Sequence, residues 1–210
     1  MIRRSLIRVA PALVLGAALG MPGMSWAADE APNTFIDKVT TQVLDAIRND
    51  PNIKSGQFEA VMAAVDRIVL PNVNFKRMTA SATGPGWRKA TPQQQGQLQT
   101  EFKTLLVRTY AGALKSVSNE TVDVLPMRNA SGNEVLVRSL VRGKGDPIQL
   151  DYRLEKTPGK GYGWQVYDVN IMGVWMVDNY RNQFAQAINA GGVDGLIKQL
   201  QDRNKANASR

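Results

Sequence analysis

The 210-residue sequence predicts an α+β fold, a twisted four-stranded antiparallel sheet wrapped by helices from both ends of the chain. Two observations lead to this prediction. Apolar residues recur at intervals of three and four in the first half of the chain and again near its end, which is typical of amphipathic helices. Between them, over residues 121–171, apolar and polar residues alternate as in half-buried strands. The short links between these strands favour antiparallel neighbours.

The first 27 residues have the pattern of a secretory signal peptide. Three arginines precede an apolar run over residues 9–24, and Ser25 and Ala27 place small side chains before a cleavage site. The run is shorter than the roughly 20 residues that span a bilayer, and it includes two prolines. We therefore expect a cleaved signal peptide at 1–27, a single domain at 28–203 and a flexible polar tail at 204–210.

Four helices are predicted before the sheet. They cover residues 36–47, 58–71, 75–79 and 92–114, with a loop at 84–86. The last of them has the clearest start. Thr91 and Gln94 have the spacing of a capping box, and Pro92 suits the first helical position.

Four strands and two further helices complete the prediction. The strands cover residues 121–124, 135–142, 148–155 and 164–171, with a hairpin turn at 129–133 between the first two. The alternation in the last strand slips between Val166 and Tyr167, which predicts a β-bulge there. The closing helices cover residues 177–188 and 193–200, and Gly191-Gly192 is predicted to end the first of them.

Composition excludes several classes of function. The sequence contains no histidine and no cysteine, so zinc sites built on these residues, iron–sulfur clusters, disulfides and histidine-dependent nucleophiles are ruled out. Removing the three arginines of the signal peptide lowers the formal charge from +8 to +5. The basic residues are scattered rather than clustered with aromatic ones, which argues against nucleic acid and favours an anionic lipid surface as partner.

The acidic residues offer little support for catalysis. Asp151 and Glu155 share a strand face with Arg153, which predicts salt bridges among the three on a solvated face. Asp168, beside the predicted bulge, is the candidate for a catalytic acid acting with a tyrosine. A single aspartate without a base partner is more typical of a structural hydrogen-bonding role. No metal-ligand spacing is present, so we expect no enzyme, metal or cofactor.

Three stretches of the sequence form a recognisable pattern, namely residues 74–78 with 86–91 and Gln94, then 102–110, and then 164–169, 173–174, 179–184, 195–197 and Leu200. Together they resemble the MlaC family, also called the toluene-tolerance auxiliary family, of Gram-negative periplasmic phospholipid-binding proteins. The resemblance covers essentially the whole mature chain. One departure is Trp175, where many members carry a small residue.

The resemblance implies a fold and a function. The fold would enclose a deep apolar pocket for acyl chains between the sheet and the helices. The protein would be a periplasmic shuttle that carries phospholipid between an outer-membrane lipoprotein complex and an inner-membrane ABC transporter with its substrate-binding subunit. Such transport would maintain outer-membrane lipid asymmetry, with only transient membrane contact. Phospholipid would be the cargo and not a cofactor.

The predicted pocket has to bury a large apolar surface. Two acyl chains with about 30 methylenes resist transfer to water by about 24 kcal/mol, so we expect a volume near or above about 1,000 Å³. A solidly packed core would instead favour an interaction or assembly factor with no bound lipid. The residues expected to line the pocket are Val65, Phe75, Leu105, Leu106, Tyr110, Val135, Val137, Ile148, Leu150, Tyr152 and Val169.

Overall fold

The computed structural model describes residues 30–117, 119–127 and 132–208. The predicted signal peptide and residues 129–131 of the predicted hairpin turn lie outside the described residues. Seven α-helices and five strands occur in the described part of the chain. In order they are α1 (Pro32–Asn49), α2 (Pro51–Lys54), α3 (Phe58–Ala64), α4 (Phe75–Thr83), α5 (Pro85–Lys89), α6 (Pro92–Tyr110), β1 (Thr121–Val124), β2 (Glu134–Arg142), β3 (Ile148–Lys156), β4 (Trp164–Ile171), β5 (Val174–Trp175) and α7 (Met176–Ala208).

The strands form one antiparallel meander in the order β1-β2-β3-β4-β5. This confirms the α+β class with an antiparallel sheet, but the prediction of four strands was wrong. The fifth strand has two residues, and Val174 pairs with Ile171 across a tight turn. Met172 and Gly173 both have positive φ in that turn, at 51° and 89°. A strand of two residues is too short to show alternation in a sequence.

The predicted β-bulge is present in β4. Arg153 of β3 pairs with Asp168, whereas Leu154 pairs with Val166. Tyr167 is therefore the extra residue. Odd-numbered residues after it lie on the face of the sheet that even-numbered residues occupy before it. As a result, Val169 and Ile171, which pair with Tyr152 and Leu150, lie on the same face of the sheet as Val166, which pairs with Leu154.

Local signals explain most helix boundaries. The capping box predicted for α6 is present, with the Gln94 N–H donating to the Thr91 hydroxyl at 3.2 Å and the Gln94 side chain accepting from the Thr91 N–H at 2.9 Å. The predicted loop at 84–86 was wrong, because Pro85 occupies the first position of α5 and only Gly84 turns the chain. The separation of the closing helices at Gly191-Gly192 is confirmed, since both glycines are non-helical within α7.

Two segments depart from regular α-helix. After α3 the chain continues as a π-helical turn, Val65–Val69, and a 3₁₀ turn, Leu70–Asn72, within the region predicted as one helix. Residues 58–72 are called the wall segment below. At the other end, α7 continues to Ala208 with Asn204 buried, where the sequence suggested a polar tail from 204.

Three apolar clusters hold the elements together. The first joins α4, α6 and α7, and Phe102 lies at its centre with its ring 4.9 Å from that of Tyr180 and 5.2 Å from that of Phe184. The second packs Phe35 and Ile36 of α1 onto β2, β3 and β4. The third lies among the end of α1, α2, α3 and the end of α6. No helix in the described part of the chain is long and apolar enough to cross a membrane.

Candidate functional site

An apolar cavity of about 360 Å³ lies beside the third cluster. Its sides are the second half of α1, the wall segment, one face of α6 and the end of β4 beyond the bulge. The volume falls below the expected 1,000 Å³ and toward the lower end of ordinary ligand sites. The lining residues are Val43, Ala46, Ile47, Ile53, Val61, Ala64, Val65, Ile68, Val69, Leu70, Val73, Phe75, Met78, Lys103, Leu106, Val107, Tyr110, Ala111, Leu114, Val169, Ile171 and Met176.

The structure divides the residues that the sequence analysis expected around a pocket. Those that line this cavity are Val65, Phe75, Leu106, Tyr110 and Val169. Those that lie elsewhere are Leu105, Val135, Val137, Ile148, Leu150 and Tyr152.

Face geometry explains why the six lie elsewhere. Val135, Val137 and Tyr152 point at α1 and belong to the second cluster, with Leu150 packed against it. Ile148, at the start of β3, is 41% exposed. Leu105 is only one residue from Leu106, but this step turns a side chain by about 100° around α6 and directs Leu105 into the first cluster.

Sequence reasoning missed the contribution of α1 and, apart from Val65, that of the wall segment. The first half of α1 packs on the sheet, whereas Val43, Ala46 and Ile47 in its second half line the cavity. The wall segment carried a detectable signal. Its apolar residues from Val61 to Leu70 are too numerous for one face of a surface helix, which is typical of a helix with apolar contacts on two sides.

Lys103 is the one charged residue among those that line the cavity. Its Nζ lies 2.7 Å from Oδ1 of Asp66, so the pair connects α6 to the wall segment. Tyr110 is the other lining residue with a polar side-chain tip, and its hydroxyl lies 3.6 Å from Sδ of Met176. Apart from these two side chains, the lining is hydrocarbon and methionine sulfur.

A polar depression adjoins the cavity at Lys103. The two hollows share the lining residues Leu70, Val73, Phe75 and Lys103, so they lie side by side. The depression is also about 360 Å³ in volume. The residues that line it but not the cavity are Asn74, Lys76, Gln99, Thr100 and Gln165, all of them polar or charged. The site as a whole therefore changes from hydrocarbon to polar along its length.

Asp168 lies outside both hollows and joins the sheet to α7. Its Oδ1 accepts hydrogen bonds from the N–H groups of Val169 at 2.9 Å and Val177 at 3.0 Å, and its Oδ2 lies 3.1 Å from Nη1 of Arg153. Burial raises the pKa of this carboxyl, and the two N–H groups and Arg153 oppose that effect only in part. Both oxygens are occupied by structural partners, which leaves none directed at the cavity.

The salt bridges expected within β3 are absent among the described residues. Arg153 pairs with Asp168 on β4, and its guanidinium lies 3.8 Å from the ring centre of Trp175. Glu155 binds Arg77 of α4, and Asp151 lies 3.9 Å from Arg138 on β2. Pairs across elements are favoured because directly opposed side chains on neighbouring strands approach more closely than residues two apart on one strand. Within the described residues, no group of acidic side chains could hold a metal ion.

The chain was compared with known proteins. The family model described as "MlaC protein" matches residues 37–202. The chain belongs to the MlaC family. Every residue that lines the cavity or the polar depression lies within the matched range.

Similar proteins carry names that concern lipid transport and solvent tolerance. The toluene tolerance protein ttg2D of Pseudomonas putida is 29% identical over 169 residues, which cover 80% of this chain and 77% of that protein. The intermembrane phospholipid transport system binding protein MlaC of Haemophilus influenzae is 25% identical over 158 residues, covering 74% of this chain and 70% of that protein.

A solved structure is also similar to this chain. It is the phospholipid-binding protein from Ralstonia solanacearum in complex with a phospholipid, and it matches with a TM-score of 0.80 and 44% sequence identity. The match covers 85% of this chain and 99% of that one. The sheet and helices described above are therefore the fold of a protein that has been observed with a phospholipid bound.

Proposed function

We propose that this protein is a periplasmic phospholipid carrier. It takes a phospholipid from one membrane-bound complex, holds the acyl chains in the cavity among α1, the wall segment, α6 and β4, and delivers the lipid to another. The observation that carries this proposal is the hydrocarbon lining of the cavity in a chain of the MlaC family. The lipid-bound relative from Ralstonia solanacearum supports the class of ligand.

The chemistry of the cavity suits acyl chains rather than a substrate to be converted. Its two polar side chains are a lysine paired with Asp66 and a tyrosine in contact with Met176. Burial of each methylene contributes about 0.8 kcal/mol, so a hydrocarbon lining supplies the free energy that keeps a lipid from returning to water. The function is therefore transport, and the protein is not an enzyme.

We infer that the cavity widens on loading. A hollow of about 360 Å³ is too small for two complete acyl chains, given the expectation of about 1,000 Å³. We infer that the wall segment is the part that moves, because its backbone is linked to the backbone of the sheet only just beyond its end among the described residues, where Val73 and Asn74 pair with Val166. Outward movement of this segment would extend the cavity without disrupting the sheet.

The partners follow from the family. We propose that an outer-membrane lipoprotein complex and an inner-membrane ABC transporter with its substrate-binding subunit exchange lipid with this protein. The relative named as the binding protein of an intermembrane phospholipid transport system supports that arrangement. Export through a signal peptide at residues 1–27 would place the protein in the periplasm between the two membranes, where it would help to maintain outer-membrane lipid asymmetry.

The proposal predicts that the protein carries phospholipid when it is purified from the periplasm without detergent. Mass spectrometry of an organic extract should detect the lipid in about equimolar amounts. The delipidated protein should load again from phospholipid vesicles. Protein that is free of lipid on isolation and also fails to load from vesicles would contradict the proposal and favour an interaction or assembly factor.

A pair of adjacent alanines gives a matched test of the cavity. Ala64 lines it, whereas Ala63 is exposed on the same helix. We expect Ala64→Phe to lower phospholipid loading about tenfold or more, because the ring competes with an acyl chain for space. Ala63→Phe should load as the wild type does. Equal loading of both variants, with urea unfolding confirming that both are folded, would place the lipid elsewhere.

A further inference from the structure

We propose that Lys103 binds the phosphate of the phospholipid head group, and that it does so by exchanging its ion pair with Asp66 for one with the phosphate. The polar depression is then the head-group subsite, and Lys76 is its second cation. This inference rests on the proposed carrier function and adds to it a specific site for the phosphate.

The face of α6 that lines both hollows changes in character at Lys103. Gln99 and Thr100 precede it and line the depression, whereas Leu106 and Tyr110 follow it and line the cavity. From Gln99 to Tyr110 the helix rises about 16 Å. A phospholipid aligned along this face has its tails beside the apolar residues and its phosphate beside Lys103, because the phosphate lies where the acyl region of the molecule ends.

The depression offers donors and positive charge. Lys76 is exposed, lines the depression and forms no ion pair with any residue in the described part of the chain. The side-chain amides of Gln99 and Gln165 donate to main-chain oxygens of Gln95 at 3.1 Å and Pro71 at 3.4 Å, and each retains a second N–H. Lys76 and Lys103 supply two positive charges at the end of an otherwise apolar cavity.

Two carboxylates near the depression differ in their partners. Asp66 pairs with Lys103 itself, whereas Glu155 pairs with other residues. Glu155 accepts hydrogen bonds from the Arg77 guanidinium and from the Asn74 amide. Asp66 is 48% exposed and Lys103 is 23% exposed, so their ion pair is accessible to solvent and contributes little to stability. A phosphate tethered by buried tails is present at high effective concentration and can therefore displace the carboxylate.

The exchange would act on the wall segment as well as on the head group. Asp66 lies in the π-helical turn, between cavity-lining Val65 and Ile68. Its ion pair with Lys103 links this turn to α6. When the phosphate takes Lys103, that tie is released, and the wall is free to move outward as the tails enter.

The test compares a phospholipid with a neutral lipid of the same tails. Delipidated protein is titrated with dioctanoyl phosphatidylglycerol and with dioctanoylglycerol, and dissociation constants are measured by calorimetry. We expect Lys103→Gln to weaken phosphatidylglycerol binding about tenfold and to change dioctanoylglycerol binding less than about twofold. Lys198→Gln is the matched control, because Lys198 pairs with Asp202 on α7, lines neither hollow, and its loss should affect neither ligand.

Asp66→Asn distinguishes a binding role for Lys103 from a merely structural one. The variant breaks the same ion pair but leaves the lysine charge unopposed, so phosphatidylglycerol should bind about threefold tighter while the preference over dioctanoylglycerol increases. If Lys103→Gln and Asp66→Asn weaken both ligands alike, the pair is structural and the inference is wrong. It is also wrong if Lys103→Gln leaves phosphatidylglycerol binding unchanged.

Two further outcomes separate this inference from the carrier function. Wild-type protein that binds neither lipid would refute the carrier function itself. Tight binding of inorganic phosphate alone to the delipidated protein, abolished by Lys103→Gln while phosphatidylglycerol binding persists, would overturn the inference in favour of a site for free phosphate. We expect inorganic phosphate to bind at least about a hundredfold more weakly than phosphatidylglycerol, because it lacks the buried tails.

Discussion

At the scale of single residues, Asp168 shows how a buried charge can be structural. It is 1% exposed, lies directly after the bulge, and accepts from the N–H of Val177 in the first turn of α7. An acid at the start of a helix is stabilised by the helix dipole and by the N–H groups that lack helical partners. Its position therefore fixes the direction in which α7 leaves the sheet.

The raised pKa of Asp168 predicts a pH dependence of stability. Because burial raises the folded-state pKa above that of the unfolded chain, the folded protein binds the proton more tightly. The stability contributed by this proton is fully present below the unfolded pKa of about 3.9 and is lost as pH rises through the folded pKa. Asp168→Asn keeps an oxygen acceptor for Val169 and Val177 but does not titrate.

The measurement is the free energy of unfolding in urea for wild type and Asp168→Asn across acidic pH. We expect the wild type to lose stability relative to the variant as pH rises from about 3.5 through the raised pKa, and the difference to be constant above it. A difference that grows in favour of the wild type over this range would mean that Arg153 and the N–H groups outweigh burial.

At the scale of elements, α7 consists of two helices joined at Gly191-Gly192. Gly192 has φ 64° and ψ −159°, a conformation populated almost only by glycine, whereas Gly191 has φ −142° and ψ 17°. The turn between them lets Tyr180 and Phe184 before it, and Leu196 and Leu200 after it, pack in the same cluster. The backbone at one residue thus determines how two helical stretches cover α6.

Alanine substitutions at the two glycines should differ in their effect. A Cβ added at either position has no atom within 4 Å, so only the backbone conformation separates them. We expect Gly192→Ala to destabilise the protein by about 1–3 kcal/mol and Gly191→Ala to remain within about 0.5 kcal/mol of wild type. Urea unfolding midpoints with unchanged m-values would measure both. Equal losses for the two variants would contradict the assignment of strain to Gly192.

Helices and strands long enough to show a repeating pattern of apolar residues were predictable from the sequence. Elements of only a few residues were not. The bounds of β4 and the start of α6 follow from alternation and from a capping box, both local signals. The two-residue β5 and the five-residue α5 are too short for a periodic signal. The π-helical turn was also missed, because a π-turn and an α-turn present similar apolar patterns over five residues.

The candidate site was predictable only in part. The spacing of apolar residues shows which face of a helix or strand is buried, but not which element packs against that face. The stripe on α6 was recognised, but its residues divide between the first cluster at Leu105 and the cavity at Leu106 and Tyr110. The strand faces at Val137 and Tyr152 were equally apolar and pack on α1 instead. The hollow depends on which helices diverge in three dimensions, and this follows from loop geometry and the bulge.

At the scale of the whole molecule, the three clusters differ in how they relate to the cavity. The first and second are closed by aromatic and aliphatic packing around Phe102 and Phe35. The third includes Ile47, Ile53, Val61, Val107 and Ala111, all of which line the cavity. A ligand in the cavity would therefore complete the packing of this third cluster above all, and of the buried residues of the first cluster it would meet Met78.

Removal of lipid should therefore loosen one part of the protein. A ligand that binds only the folded state stabilises it by mass action, so delipidation should lower the melting temperature. Hydrogen exchange should rise in the second half of α1, the wall segment and the end of α6, and should be unchanged in β2 and β3. Uniform deprotection, or deprotection centred on the sheet, would show that the ligand supports the fold elsewhere.

The wall segment also bears on which lipids the protein can carry. In the described part of the chain it is joined to the sheet by little more than the pairing of Val73 and Asn74 with Val166 at its end. Elsewhere the wall segment meets its neighbours through side-chain contacts, which can adjust in small steps. A closed barrel, by contrast, would fix the width of the cavity. In a carrier, such a boundary tolerates tails that differ in length and unsaturation. Acyl composition would then mirror the donor bilayer, and discrimination would fall to the polar end of the molecule.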